Sequence, residues 1–237
     1  MKGLKYILLL AVLFTLGACQ RSQEERNRIL KVYNWADYID EDVLAEFPEW
    51  YKEQTGEDIE VIYQTFDINE IMLTKIERGH EDFDVVCPSE YIIERMMKKD
   101  MLQPINRDFG NTPDYIPNLA PYIQEELNKM SFDERKVTDY AVAYMWGTAG
   151  VLYNKGLVTE EEALTCGSLW DPKFNNKILM KDSYRDCYGL AIIYANTERL
   201  QKGEVTVEQL MNDNSKDAII MAEEYLKMMK PNIAGWE

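Results

Sequence analysis

The chain has 237 residues, 46% of them hydrophobic, enough to bury the core of one large domain or two small ones. With 26 Lys and Arg against 42 Asp and Glu, the formal net charge is −16. That balance repels phosphate backbones, argues against nucleic acid as a partner and favours a cationic one. A single histidine, His80, excludes His-rich metal sites and most His-based acid–base machinery.

In chain order, Lys2 and Lys5 precede an apolar run from Tyr6 to Leu16, then Gly17, Ala18 and Cys19. A basic start, a short apolar stretch and small residues before a cut predict a secretory signal peptide over residues 1–18. The run is too short to predict a membrane span. Leu16-Gly17-Ala18-Cys19 resembles a bacterial lipobox, which implies cleavage before Cys19 and acylation of its thiol and new amine. Several acyl chains on one residue give stable anchoring, and residues 19–28 then read as the lipidated Cys and a polar tether. The plainer alternatives are an ordinary signal peptide with an incidental cysteine, or a short membrane anchor. Cleavage removes two lysines and no acids, so the mature chain is more acidic still. Cys87, Cys166 and Cys187 remain, too widely spaced for a zinc pattern. A Cys166–Cys187 bridge is open, but the apolar neighbourhoods favour free thiols.

Leu30 to Trp35 alternates and is rich in β-formers, predicting a strand. Asp40 opens an amphipathic helix through Val43, Leu44, Phe47 and Tyr51, closed by Gly56, with Pro48 predicting a kink or a break. Ile59 to Tyr63 is the next strand, Asn69 to Arg78 a helix, Asp84 to Cys87 a short buried strand, and Tyr91 to Lys99 a further helix. This alternation predicts a parallel, doubly wound α/β lobe over residues 29–138. Residues 103–138 carry four prolines and read as a peripheral excursion. Val137 to Val142 and Gly150 to Tyr153 are predicted strands, Lys177 to Met180 another, followed by helices over Ser183 to Tyr194 and Asn214 to Lys230. A second α/β lobe over 139–237 is therefore expected, with an incomplete sheet.

Ligands of parallel α/β folds bind at the carboxyl ends of the strands. Those loops hold Trp35, Asp37 and Tyr38; Thr65, Phe66 and Asp67; and Ser89, Glu90 and Tyr91; Asp182, Ser183 and Asp186 open the helix after Met180. Aromatic faces beside carboxylates suit an organic cation, because ring faces attract ammonium groups and carboxylates fix them by charge-assisted hydrogen bonds. A phosphate ligand calls for Gly-rich loops with Lys or Arg, which these loops lack. Each residue also has an ordinary use: aromatics at strand ends pack into cores, Asp182 is placed to cap a helix, and Asp37 and Asp40 suit a helix start.

The strings Val32-Tyr33-Asn34-Trp35-Ala36-Asp37-Tyr38-Ile39, Val85-Val86-Cys87-Pro88-Ser89-Glu90-Tyr91 and Tyr144-Met145-Trp146-Gly147-Thr148 resemble the bacterial spermidine/putrescine-binding proteins. The resemblance runs along residues 29–237. It implies a periplasmic-binding-protein-like (type II) α/β fold of two hinged lobes, in which a polyamine is held between the lobes and delivered to the permease subunits of an ABC importer. It implies no enzymatic activity, no cofactor and no metal, a monomer, and a location on the extracytoplasmic face of a bacterial membrane. Carried over by position, Trp35 and Tyr38 supply aromatic walls, Ser89 and Tyr91 line the same face, and Asp186 matches an amine-binding glutamate of the family. Three departures bear on ligand choice: Ala36 stands where the family has a hydroxyl, Ser183 where it has an acid beside Asp182, and Asp186 is one methylene shorter than glutamate. The family's polypeptide also continues beyond this point, so a C-terminally truncated second lobe and return crossover are expected.

Other readings remain in view. One is a receptor of the same fold for another solute, such as ferric iron or another amine. Another is a truncated product without binding activity. His80 follows a helix-ending Gly79 and reads as a surface residue rather than an iron ligand. A hydrolase using Asp182 with Asp186 lacks a recognisable nucleophile, metal or proton-transfer partner.

Overall fold

In the computed structural model, the structure describes residues 25–79 and 81–236. The expectations for the signal peptide, for Cys19 and for His80 lie outside the described residues. The chain divides into two compact units at Trp146/Gly147, later than the 138/139 division expected from sequence.

The first unit is built on β1 (Ile29–Trp35), β2 (Glu60–Phe66) and β3 (Val85–Val86), all parallel in the order β2-β1-β3. Strand β1 pairs with β2 along its whole length, from Ile29 opposite Glu60 to Trp35 opposite Phe66. Three helices follow the three strands: α1 (Glu41–Thr55), α2 (Asn69–Gly79) and α3 (Glu90–Lys98). Asp40 caps α1 by accepting from the Asp42 N–H at 3.0 Å, and Gly56 closes it at φ 79°, a left-handed conformation that glycine adopts without a Cβ clash. The helix is continuous through Pro48, so the predicted break is absent. Of the apolar face expected for α1, Leu44, Phe47 and Tyr51 are half-buried while Val43 is exposed, and none of its residues is fully buried. Burial falls instead on α2 and α3, whose Met72, Leu73, Ile92 and Met96 pack with Tyr33 and Phe66.

The excursion contains α4 (Pro121–Lys129) and a short antiparallel hairpin, β4 (Ser131–Phe132) with β5 (Arg135–Lys136). The strand predicted from Val137 is instead a 3₁₀ turn over Val137–Asp139, with Val137 fully buried and the Asp139 carbonyl accepting from the Ile105 N–H. Residues 150–153 form no strand either. Alternating sequence becomes a strand only with a neighbour to take its backbone hydrogen bonds, and among the described residues neither segment has one.

In the second unit, α5 (Glu160–Ala163) begins with a Thr159/Glu162 capping box. Strand β6 (Ile178–Met180) leads into α6 (Tyr184–Ala195), followed by α7 (Thr197–Gln201), α8 (Val207–Asn212), α9 (Lys216–Met229) and β7 (Ile233–Trp236). Strands β6 and β7 pair in parallel. Buried Asn232 secures their entry by donating to the Leu169 and Asp171 carbonyls at 2.9 and 3.0 Å. One core gathers Leu169, Met180, Cys187 and Met229; the other gathers Ile192, Leu210 and Ala218. Trp170 stacks on Tyr194 with ring centroids 4.0 Å apart and donates its indole N–H to the Tyr225 carbonyl. Cys87 and Cys187 are free thiols. Among the described residues no helix is long and apolar enough to cross a membrane.

Ile92 is fully buried while Ile71 is 63% exposed. Ile92→Ala is expected to cost about 2–5 kcal/mol in denaturant unfolding, and Ile71→Ala less than about 0.5 kcal/mol. Equal losses would contradict this placement of the core.

At the amino end of the sheet, Asp82 meets the Lys31 ammonium at 2.5 Å and the Arg26 guanidinium at 2.6 Å, and Arg26 also reaches Asp84 at 3.0 Å. The two cations, Lys31 foremost, hold the Asp82 carboxyl well below the usual carboxylate range. A depressed acid stabilises above its unfolded value, about 3.9, and loses that contribution as pH falls toward its folded value. The stability difference between wild type and Asp82→Asn, read from denaturation midpoints, is therefore expected to be constant above about pH 5 and to shrink below about pH 4. A difference independent of pH would contradict the latch.

Candidate functional site

The carboxyl ends of β1, β2 and β3 lie together because the strands are parallel and in register. The chain leaves β1 through an Ala36 N–H donated to the Phe66 carbonyl, then turns at Asp37, whose φ of 60° is a conformation that Asp tolerates better than most residues. This turn brings Tyr38 back toward Trp35, with ring centroids 6.0 Å apart. Trp35 also packs on Phe66 at 4.7 Å, so it is half core and half wall. Tyr38 is exposed, and its carbonyl accepts a hydrogen bond from the Tyr144 hydroxyl. The structure thus brings Tyr144 to the Trp35–Tyr38 loop within one unit, a proximity that sequence spacing does not reveal.

A polar network adjoins these aromatics. Buried Asn69 donates to Ser89 Oγ and to the Tyr91 hydroxyl, both at 3.0 Å, and accepts from the Ser89 N–H at 3.2 Å. The Tyr91 hydroxyl donates to Glu70 Oε1 at 3.0 Å. Burial, reinforced by the Glu70 charge, pushes the Tyr91 phenol well above its ordinary range and keeps it a neutral donor. Ser89 stands at the N-cap position of α3 without capping it, because its hydroxyl is engaged by Asn69. Asn69 and Glu70 are absent from the sequence-derived set. The available signal was a polar pair opening α2 directly after a strand-end loop.

Beneath the loops, the buried Tyr63 hydroxyl has no hydrogen-bond partner among the described residues. Burial raises its phenol above the ordinary value, with the Asn34 amide opposing that shift and Tyr144 and Cys87 nearby. Buried Asn34 itself turns its Oδ1 to the Trp35 N–H at 2.8 Å. Burial also pushes the Cys87 thiol up, which makes it a poor nucleophile at neutral pH.

In the second unit, Asp182, Ser183 and Asp186 come together at the start of α6. The N-cap is Ser183 rather than Asp182: its Oγ accepts from the Asp186 N–H at 3.3 Å, leaving Asp182 exposed. Asp186 is paired with a residue that sequence reading passed over, the Lys181 ammonium at 2.8 Å. Helix α6 is fixed behind this end by Arg185, which donates to the Met211 carbonyl and to Asn212 Oδ1, and by the Tyr188 hydroxyl on the Asp213 carbonyl.

Chemically, the first unit offers ring faces and hydroxyls, and the second offers two carboxylates at the positive end of a helix. Ring faces take the methylenes and ammonium of an organic cation, and carboxylates take an ammonium by charge-assisted hydrogen bonds. Among the described residues no three His, Cys, Asp or Glu side chains gather as a metal-binding group.

No family model matches the chain. The spermidine/putrescine-binding periplasmic protein of Escherichia coli is 29% identical over 230 residues, which cover 97% of this chain and 58% of that protein. A solved structure from Listeria monocytogenes assigned to a spermidine/putrescine ABC transporter is 34% identical, with a TM-score of 0.67 over 88% of this chain and 56% of the other. The spermidine/putrescine ABC transporter substrate-binding protein PotD of Streptococcus pneumoniae is 32% identical, with a TM-score of 0.57 over the same shares. The Escherichia coli and Streptococcus pneumoniae relatives are binding proteins by name. The chain spans about half the length of the curated relatives it matches. It is a homologue of the spermidine/putrescine-binding periplasmic proteins, α/β in fold and matched over about half of their length.

Proposed function

We propose that this chain binds a polyamine, putrescine or spermidine, at the extracytoplasmic face of a bacterial membrane and delivers it to the permease of an ABC importer. The observation that carries this reading is the gathering of Trp35, Tyr38 and Tyr144 at the carboxyl ends of the parallel strands, in a homologue of spermidine/putrescine-binding proteins. Trp35 and Tyr38 are the walls for the methylene chain and an ammonium, with Asp37 beside them. Ser89 and Tyr91, oriented by Asn69, supply hydroxyl groups on the same unit. Asp182 and Asp186 at the head of α6 are the carboxylates for an amine, with Ser183 fixing the helix start. Acylated Cys19 holds the protein at the membrane.

Polyamines carry two or more ammonium groups separated by methylenes; ring faces suit the methylenes and an ammonium, and carboxylates suit an ammonium. The acidity of the whole chain adds a long-range attraction for polycations, although most of its acids are solvated surface.

The test is titration of the full chain with putrescine and spermidine, followed by calorimetry and tryptophan fluorescence. Saturable binding is expected. Loss of the ring in Trp35→Leu should weaken it roughly 2- to 30-fold, from the usual size of a cation–ring contact. Asp186→Asn should weaken it about tenfold or more, the scale of a hydrogen bond to a charged group. Absence of saturable binding to either amine, or binding indifferent to both substitutions, would overturn the reading.

A further inference from the structure

The carboxylate assigned to the ligand's ammonium already holds one. Lys181 Nζ lies 2.8 Å from Asp186 Oδ2, five residues along the chain, with the Lys181 side chain 68% exposed and that of Asp186 33% exposed. The backbone that carries this ammonium is fixed: the Lys181 carbonyl accepts from the Ser183 N–H at 2.9 Å and from the Cys187 thiol at 3.5 Å. Ser183 in turn caps α6 through the Asp186 N–H. The stem of Lys181 therefore starts from one place, while its long, solvated side chain is free to swing. An exposed pair of this kind is weak enough for an incoming amine to open it.

We propose that Lys181 is a tethered competitor for the ligand's ammonium at Asp186, and that it sets which amine this chain prefers. The inference rests on the polyamine-binding reading above. An amine that engages Asp186 must first displace the Lys181 ammonium. The displaced cation stays within a few ångströms and repels further positive charge. At the head of α6, Lys181 cancels one of the two negative charges of Asp182 and Asp186. This disfavours a ligand that brings several ammonium groups more than one that brings two. Lys181 thus shifts preference from triamine toward diamine. It also buffers the site against the many inorganic and organic cations that a bare acidic pair would collect.

The experiment compares the full wild-type chain with Lys181→Met, Lys181→Gln and Lys181→Arg, titrated with putrescine and spermidine at low and high salt. Lys181→Met is expected to bind putrescine roughly 2- to 5-fold more tightly, the range that opening an exposed ion pair implies. It should gain more for spermidine, so that the spermidine-to-putrescine affinity ratio rises, and the gain should fade at high salt. Lys181→Gln should behave like Lys181→Met, which guards against a folding defect in either variant. Lys181→Arg keeps the charge and should stay close to wild type. Unchanged or weaker binding in both neutral variants, alongside the expected losses in Trp35→Leu and Asp186→Asn, would overturn this inference and leave the polyamine reading standing. If neither wild type nor any Lys181 variant binds, both fall.

Discussion

The full-length parallel pairing of β1 with β2 is the constraint on which the first unit depends. Seven consecutive residue pairs in register, ending with Trp35 opposite Phe66, bring both strand ends to the same level, and β3 joins at Val32 and Tyr33. Because the strands are parallel, the three loops that follow them open at one edge of the sheet. The opposite edge is closed by charge, with Arg26 and Lys31 on Asp82 and Asp84. A one-residue slip of β1 would exchange the faces of Tyr33 and Asn34, putting the buried amide into the aromatic core and the phenol outside it. Register, core and site are therefore one specification.

The second unit solves a smaller problem with fewer strands. Its two-stranded sheet supplies little cover, so helix packing and hydrogen bonds to fixed carbonyls place the head of α6. Asn232 fixes the strand entry, Trp170 stacks against Tyr194, and Arg185 and Tyr188 anchor α6 to the end of α8. What results is a helix start whose acids are held at one end and whose cap is Ser183. The chemistry there is set by a local balance of charge, two acids against Lys181, rather than by the acidity of the whole chain.

Sequence periodicity located β1, β2 and β6 and helices α1, α2, α3, α6 and α9, because each carries its own apolar pattern and its own start and stop residues. It misreads Val137–Val142 and Gly150–Tyr153, where alternation has no neighbouring strand to answer it, while the apolar face of α1 is covered only in part, at Leu44, Phe47 and Tyr51. Of the residues proposed for the site, Trp35, Asp37, Tyr38, Ser89 and Tyr91 stand in the recognisable strings, and Asp182, Ser183 and Asp186 stand at the start of a predicted helix. Their partners were not legible in the sequence. Asn69 reaches Ser89 and Tyr91 across twenty and twenty-two positions, Tyr144 reaches Tyr38 across more than a hundred, and only the fold brings them together. Lys181 was close in sequence to Asp186 but unremarkable there, since a lysine before a helix is an ordinary surface residue until its ammonium is seen on the carboxylate.

The amine site proposed for this chain lies at the carboxyl ends of the first unit's parallel strands. The most direct test follows amide and indole NMR signals of the full chain during titration with putrescine. Saturable shifts are expected at Trp35, Ala36, Tyr38 and Tyr91, with Arg26, Lys31 and Asp82 at the opposite end unmoved. Shifts confined to that opposite end, or none at the strand-end loops at saturating amine, would contradict it.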